Sequence, residues 1–247
     1  MQTATLINTK EIDFRSGSLK DDLLSLSLKD RDQGGYLEEE MPDMLNLLPP
    51  PPDMGSYELE LDLELSSVYQ KVDESRKAQA RRDAILQFPL ATEAFNPILG
   101  FKIDRENTPS LYRIMQKTRV DGGRSTGSTK RFYKRLRPFM VNDLPILTPW
   151  EEEILRYDGS YPSGHTAIGW IWALILKDLF PTRSAEILKR GHQFGVSRSV
   201  CNVHWYSDVV AGRACGNAVT DKLYTSSTFL YDLSLAKNEI QYLFREY

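Results

Sequence analysis

The chain has 247 residues, 41% of them hydrophobic and 26% charged, a composition typical of a water-soluble protein with one substantial core and room for an appendage. Its longest apolar run, Ala167 to Leu176, stops after ten residues, about half of what a membrane-spanning helix needs, so no membrane span is expected. The net charge of −3 is uneven: residues 1–66 hold 5 Lys/Arg against 15 Asp/Glu, which leaves a mildly cationic body suited to a small anion, with no basic stripe for nucleic acid.

The first twenty residues show no basic stretch followed by an apolar run of signal length; the chain is read as leaderless or as having lost a leader. Residues 1–45 are rich in Ser, Asp, Glu and Gly and read as an acidic arm, with a short amphipathic piece at Lys20–Leu28. Residues 46–247 read as the folded domain. Pro49 to Pro52 fix φ at four successive residues and force a polyproline II stretch, which Leu47-Leu48 press against the domain as a strap.

Helical patterning starts near residue 57 and includes one long segment, Leu65 to Gln87. Thr108-Pro109 reads as an N-cap before a helix over 110–120, and Thr148-Pro149-Trp150-Glu151 as a second cap with a capping-box glutamate. Helices are also expected over 124–137, 165–180, 183–193, 205–222 and 232–246. No alternating run of strand length stands out. The predicted architecture is a single all-α helical bundle.

Cys201 and Cys215 belong to no CxxC pair, and only His165, His192 and His204 are available, so neither a metal site nor a cofactor is expected. On one continuous helix the two cysteines would be about 21 Å apart, too far to bond.

Three constellations carry the chemistry. In Ser197-Arg198-x5-His204-x3-Asp208, His204 and Asp208 are four apart, so on a helix they share a face. A carboxylate on one ring nitrogen fixes the tautomer and frees the other nitrogen for attack. Gly195, Ser197 and Cys201 suggest a turn before that helix. In Lys130-x6-Arg137-Pro138 the two cations lie two helical turns apart and project from one side, with Arg131, Lys134 and Arg135 as solvated neighbours. With Arg198 they could surround a phosphate. In Pro162-Ser163-Gly164-His165, a turn ahead of the most apolar helix offers Ser163 and the Gly164 amide to an anion and places His165 at the rim. His192, near an expected helix end, fits a structural role.

Together these sets resemble the signature of the class A bacterial non-specific acid phosphatases, within the superfamily of type 2 phosphatidic acid phosphatases and vanadium haloperoxidases. Leu48-Pro49 to Pro52, Asn107-Thr108-Pro109, Gly159-Ser160-Tyr161 and Ala185 to Gly191 are similar to that class as well. The resemblance implies a metal-independent phosphatase. His204 would be the nucleophile, Asp208 its orienting acid and His165 the leaving-group acid. Lys130, Arg137, Arg198, Ser163 and Gly164 would hold the phosphoryl oxygens. Two histidines of opposite protonation imply neighbours that push their pKa values apart. The implied substrate is a small phosphate ester or nucleotide, the implied location periplasmic or secreted, and a homo-oligomer is admissible. Residues 89–101 lack the Ser/Gly-rich loop associated with substrate contact in that class. A vanadate-dependent haloperoxidase and a catalytically idle binding module are the two alternative readings.

Overall fold

The most apolar segment of the chain becomes the hub of the fold. In the computed structural model, which describes residue 23, residues 34–38 and residues 40–244, α8 (Gly164–Leu179) is packed between α5 (Pro109–Ser125), α9 (Ser184–Val200) and α10 (Tyr206–Leu223). Nine of its sixteen residues are buried, which is what a helix apolar on several faces requires. Trp172 is fully buried and donates its indole hydrogen to Met115 O at 3.0 Å, tying the hub to α5.

The remaining helices are α1 (Met44–Leu47), α2 (Tyr57–Gln70), α3 (Glu74–Asp83), α4 (Asn96–Leu99), α6 (Gly127–Tyr133), α7 (Glu152–Leu155) and α11 (Ser227–Leu243). Short 3₁₀ turns cover Leu90–Ala94, Pro138–Met140, Pro149–Glu151 and Pro181–Arg183. Among the described residues there is no strand, and no helix is long and apolar enough to cross a membrane. The all-α bundle expected from the sequence is the fold observed.

Several boundaries differ from expectation, each for a local reason. The segment 65–87 is two helices, because Asp73 ends the first run by capping α3 with a 2.8 Å bond from Arg76 N. α5 begins at Pro109 as predicted, but the Thr108 hydroxyl turns back to Asp104, and Glu239 of α11 accepts from Ser110 N at 2.9 Å instead. Thr148 makes no cap bond either: its segment is a 3₁₀ turn leading into α7. α9 runs on to Val200, so the turn expected around Gly195 and Ser197 is helix and His192 lies mid-helix. Cys201 caps α9 while Cys215 sits within α10, both as buried free thiols on different helices.

The polyproline strap is pressed down by Leu48, which is buried, and by Tyr161 Oη donating to Pro49 O at 2.7 Å, whereas Leu47 is exposed. Of the acidic arm, Tyr36 N and Leu37 N donate to the buried Asp121 carboxylate at 2.9 and 3.1 Å, and Tyr36 Oη donates to Asp232 at 2.6 Å. The predicted piece at 20–28 lies outside the described residues except Leu23, which is buried with Ile85 and Leu90.

Candidate active site

His204 precedes α10 rather than lying on it; Trp205 is the N-cap and Asp208 sits in the first helical turn. The pair meets by capping geometry instead of by a shared helix face. Asp208 Oδ2 accepts from Trp205 N at 2.9 Å and lies 3.3 Å from His204 Nδ1. The other ring nitrogen, Nε2, is 3.2 Å from Arg137 Nη1. A guanidinium can only donate, so Nε2 carries no hydrogen and Nδ1–H donates to Asp208. The ring is thereby fixed with a hydrogen-free Nε2 whose lone pair faces Arg137, and His204 is buried.

Arg137 does not share a helix with Lys130. α6 ends at Tyr133, Lys134 turns into the left-handed region at φ 47, and Arg137 is extended at φ −81, ψ 155. Pro138 disfavours a helical residue before it, which accounts for the extended Arg137, while the helix itself already ends at Tyr133. The side chains converge all the same. Asp158 Oδ2 accepts from Lys130 Nζ at 2.5 Å and from Arg137 Nη2 at 2.9 Å. Gly159 makes this possible, since a Cβ there would stand 2.6 Å from Lys130 O.

Arg135, read from the sequence as solvated, is buried beneath the site. Its Nη1 donates to Asp208 Oδ1 at 2.6 Å and to Ser207 Oγ at 2.7 Å, and its Nη2 to Asp62 Oδ2 at 2.8 Å. The two arginines thus reach the His204–Asp208 pair from one short stretch, Arg135 through Asp208 and Arg137 through His204. Arg131 and Lys134 are exposed, as expected.

Arg198, in the last turn of α9, is fully buried. Its Nη2 donates to both carboxylate oxygens of Glu151 at 3.1 Å, while Nε and Nη1 find no hydrogen-bond partner. Orphaned donors on a buried cation are costly, by about 1–3 kcal/mol each, and such groups mark places where an anion belongs.

Ser163 caps α8, its Oγ accepting from Thr166 N at 3.3 Å, and Ser163 N donates to Asp208 O at 3.0 Å. α10 approaches this turn so closely that a Cβ on Gly212 would lie 2.5 Å from Ser163 O. Gly164 and His165 open the helix, leaving their first-turn amides available to an anion. His165 Nε2 is 3.0 Å from Ala84 O and 3.9 Å from Glu151 Oε1. A carbonyl only accepts, so this nitrogen carries the hydrogen. Ala84 itself is steadied from beneath, where Asp83 pairs with Arg190 and accepts from Ser197 Oγ at 2.6 Å.

Electrostatics follow from this packing. Burial, with Arg137, Lys130 and Arg198 close by, holds His204 well below the ordinary histidine range. Burial and Arg198 do the same to His165. Both imidazoles are thus shifted in the same direction, toward the neutral form. Burial and the neighbouring Arg137 bring the Lys130 ammonium down to about 8. Burial raises the Asp208 carboxyl, and Arg135 opposes that shift.

The structure gathers Lys130, Arg137, Ser163, Gly164, His165, Arg198, His204 and Asp208 around one charged region, while Ser197 turns away to Asp83; it adds four residues the sequence did not reveal: Arg135, Asp62, Glu151 and Asp158. Among the described residues no three His, Cys, Asp or Glu side chains stand together as a metal site requires. What the arrangement can do is hold a tetrahedral anion against a hydrogen-free imidazole nitrogen.

Comparison with known proteins agrees with this geometry. Residues 122–229 match the PAP2 superfamily. The chain is 37% identical over 202 residues to a non-specific acid phosphatase of Providencia stuartii, covering 80% of each chain. It is 36% identical over 196 residues to a non-specific acid phosphatase of Salmonella typhimurium, covering 78% of each. Against an acid phosphatase of Zymomonas mobilis subsp. mobilis the identity is 37% over 200 residues, covering 81% of this chain and 76% of the other. The chain belongs to the class A bacterial non-specific acid phosphatases of the PAP2 superfamily.

Proposed function

We propose that this protein hydrolyses small phosphate monoesters, nucleotides included, through a phosphohistidine on His204, and that it works outside the cytoplasm. The observation that carries the reading is the state of His204: a buried imidazole whose hydrogen-free Nε2 opens onto buried cationic side chains while Nδ1 is fixed by Asp208. His204 Nε2 bonds to phosphorus as the ester P–O bond breaks, and the leaving oxygen takes a proton from His165. His165 then removes a proton from water, whose oxygen attacks phosphorus, breaks the P–N bond and releases inorganic phosphate. Lys130, Arg137 and Arg198, with Ser163 and the Gly164 amide, stabilise the charge on the equatorial oxygens throughout, which is the main contribution protein groups make to phosphoryl transfer.

His165 takes its proton from solvent, and the substrate's negative charge stabilises the imidazolium that results. A phosphoryl anion beside His165 favours the imidazolium, and Glu151 at 3.9 Å acts in the same direction. Rapid-quench trapping with a labelled aryl phosphate, followed by peptide mapping, tests the reading: acid-labile label is expected on His204. Label on a serine or on His165 would overturn it.

A further inference from the structure

Every N–H of Arg137 is already taken. Nε donates to Leu155 O and Asp158 O, Nη1 to Val203 O and His204 Nε2, and Nη2 to Asp158 Oδ2 and Gly159 O. Lys130 Nζ likewise spends two of its three hydrogens, on Asp158 Oδ2 and Gly159 O. A phosphoryl oxygen can reach Arg137 only by displacing an existing acceptor. Backbone carbonyls are fixed in the fold, and His204 Nε2 faces the same phosphorus. The acceptor that can leave is the Asp158 carboxylate.

Asp158 is suited to leaving. Its side chain is 46% exposed, whereas those of Lys130 and Arg137 are 10% and 1% exposed. It follows α7 on turn bonds stretched to 3.3 Å, and Gly159 comes next. It also lines a cavity of about 300 Å³ whose rim carries Arg131 and Lys134, exposed cations that form no ion pair among the described residues.

We propose that Asp158 is an internal counter-ion that alternates with the phosphoryl group. It yields Lys130 and Arg137 to the incoming phosphoryl group, swings toward Arg131 and Lys134, and returns to help expel inorganic phosphate. The proposal rests on the assignment of Lys130, Arg137 and Arg198 as the phosphoryl clamp. Asp158 is a positioning residue in this scheme: it touches the clamp and no reacting atom. Two anions competing for the same donors repel, so removing the fixed one tightens the hold on the other.

The test is Asp158→Asn, which keeps the shape and removes the charge. The inhibition constant of inorganic phosphate is expected to fall about tenfold, equivalent to about 1.4 kcal/mol of tighter binding. kcat should fall while kcat/KM is maintained, because phosphate release becomes the slow step, and a burst of aryl alcohol should precede the steady state. A merely structural Asp158 gives the opposite result: weaker phosphate inhibition and a lower kcat/KM. Unchanged phosphate inhibition also overturns the proposal. If Asp158→Asn fails to fold, the exposed pair Arg131→Ala/Lys134→Ala reads the other end of the swing; phosphate inhibition should weaken several-fold, and no change there refutes the alternation. Arg198→Ala separates this proposal from the function beneath it, since Asp158 does not touch Arg198. Phosphate inhibition undiminished in Arg198→Ala means the clamp itself is misassigned. Inhibition lost there but not tightened in Asp158→Asn defeats the counter-ion alone.

Discussion

The two histidines share cationic surroundings, His204 buried and His165 half-buried, yet they are held very differently. His204 is bonded at both ring nitrogens, and its carboxylate partner is itself locked by Trp205 N and Arg135. Arg135 is in turn held by Asp62 from α2, so three chain segments fix one ring. His165 has one bond from its ring to a backbone carbonyl, with Glu151 beyond hydrogen-bonding distance. The difference matches what each must do in the proposed reaction. A nucleophile meets phosphorus along one line whatever the ester, whereas a leaving-group acid meets oxygens carried on many shapes. Rigidity is concentrated on the side where geometry is invariant.

Breaking the rigid side outright should have the largest effect. His204→Ala is expected to lose about three or more orders of magnitude in kcat and to form no phosphoenzyme with any substrate, read by acid-quench labelling. Breaking the looser side should be selective. His165→Ala should lose about 10²- to 10⁴-fold on alkyl phosphates. An activated aryl phosphate should still label His204, and the phosphoenzyme should accumulate because water activation is impaired. Equal losses on both esters would remove the distinction between the two rings.

The support beneath His204 comes next. Arg135→Ala should lower kcat about ten- to a hundredfold by releasing Asp208. It should also cost about 3–5 kcal/mol in stability, because the buried Asp62 and Asp208 lose their charge partner; thermal unfolding reads this directly. Arg131→Ala, at an exposed site four residues earlier, should change neither beyond about twofold.

The smallest effect sharpens the electrostatic side of the comparison. With His204 held low by burial and three cations, its neutral form persists as pH falls through the ordinary histidine range. Arg137→Ala removes one of those cations, so the imidazole rises toward its ordinary value and protonates earlier on acidification. The acid limb of the kcat/KM profile should therefore move to higher pH, on top of a uniform loss. A shift to lower pH would mean that Arg137 does not act on His204.

Much of this site was legible in the sequence, and the failures have identifiable causes. Lys130, Arg137, Ser163, Gly164, His165, Arg198, His204 and Asp208 were collected because three sets, each weak alone, stand in an order that resembles the family signature. The geometry that joins them was less legible. Pro138 carried a readable signal that Arg137 is extended. The left-handed turn at Lys134 carried none, since a lysine there has no local reason to adopt it. Asp62 is one acid among several in Tyr57–Gln70, and only tertiary packing selects it for burial. Glu151 resembled a helix cap because Thr148 stands three residues before it; its real partner, Arg198, lies 47 residues away.

The tie from Asp62 to Ser207 and Arg135 has a consequence for synthesis. Asp62 N-terminally anchors a network whose other members are 73 and 145 residues further along the chain. A chain growing from its N-terminus carries an unmatched acid at 62 until Arg135 emerges, and an incomplete pocket until Ser207 and Asp208 follow. His204, Asp208 and the serine that completes the network all leave the ribosome within five residues of one another. On the proposed function the anion site therefore closes only once this segment has emerged, and any product that ends before His204 lacks it.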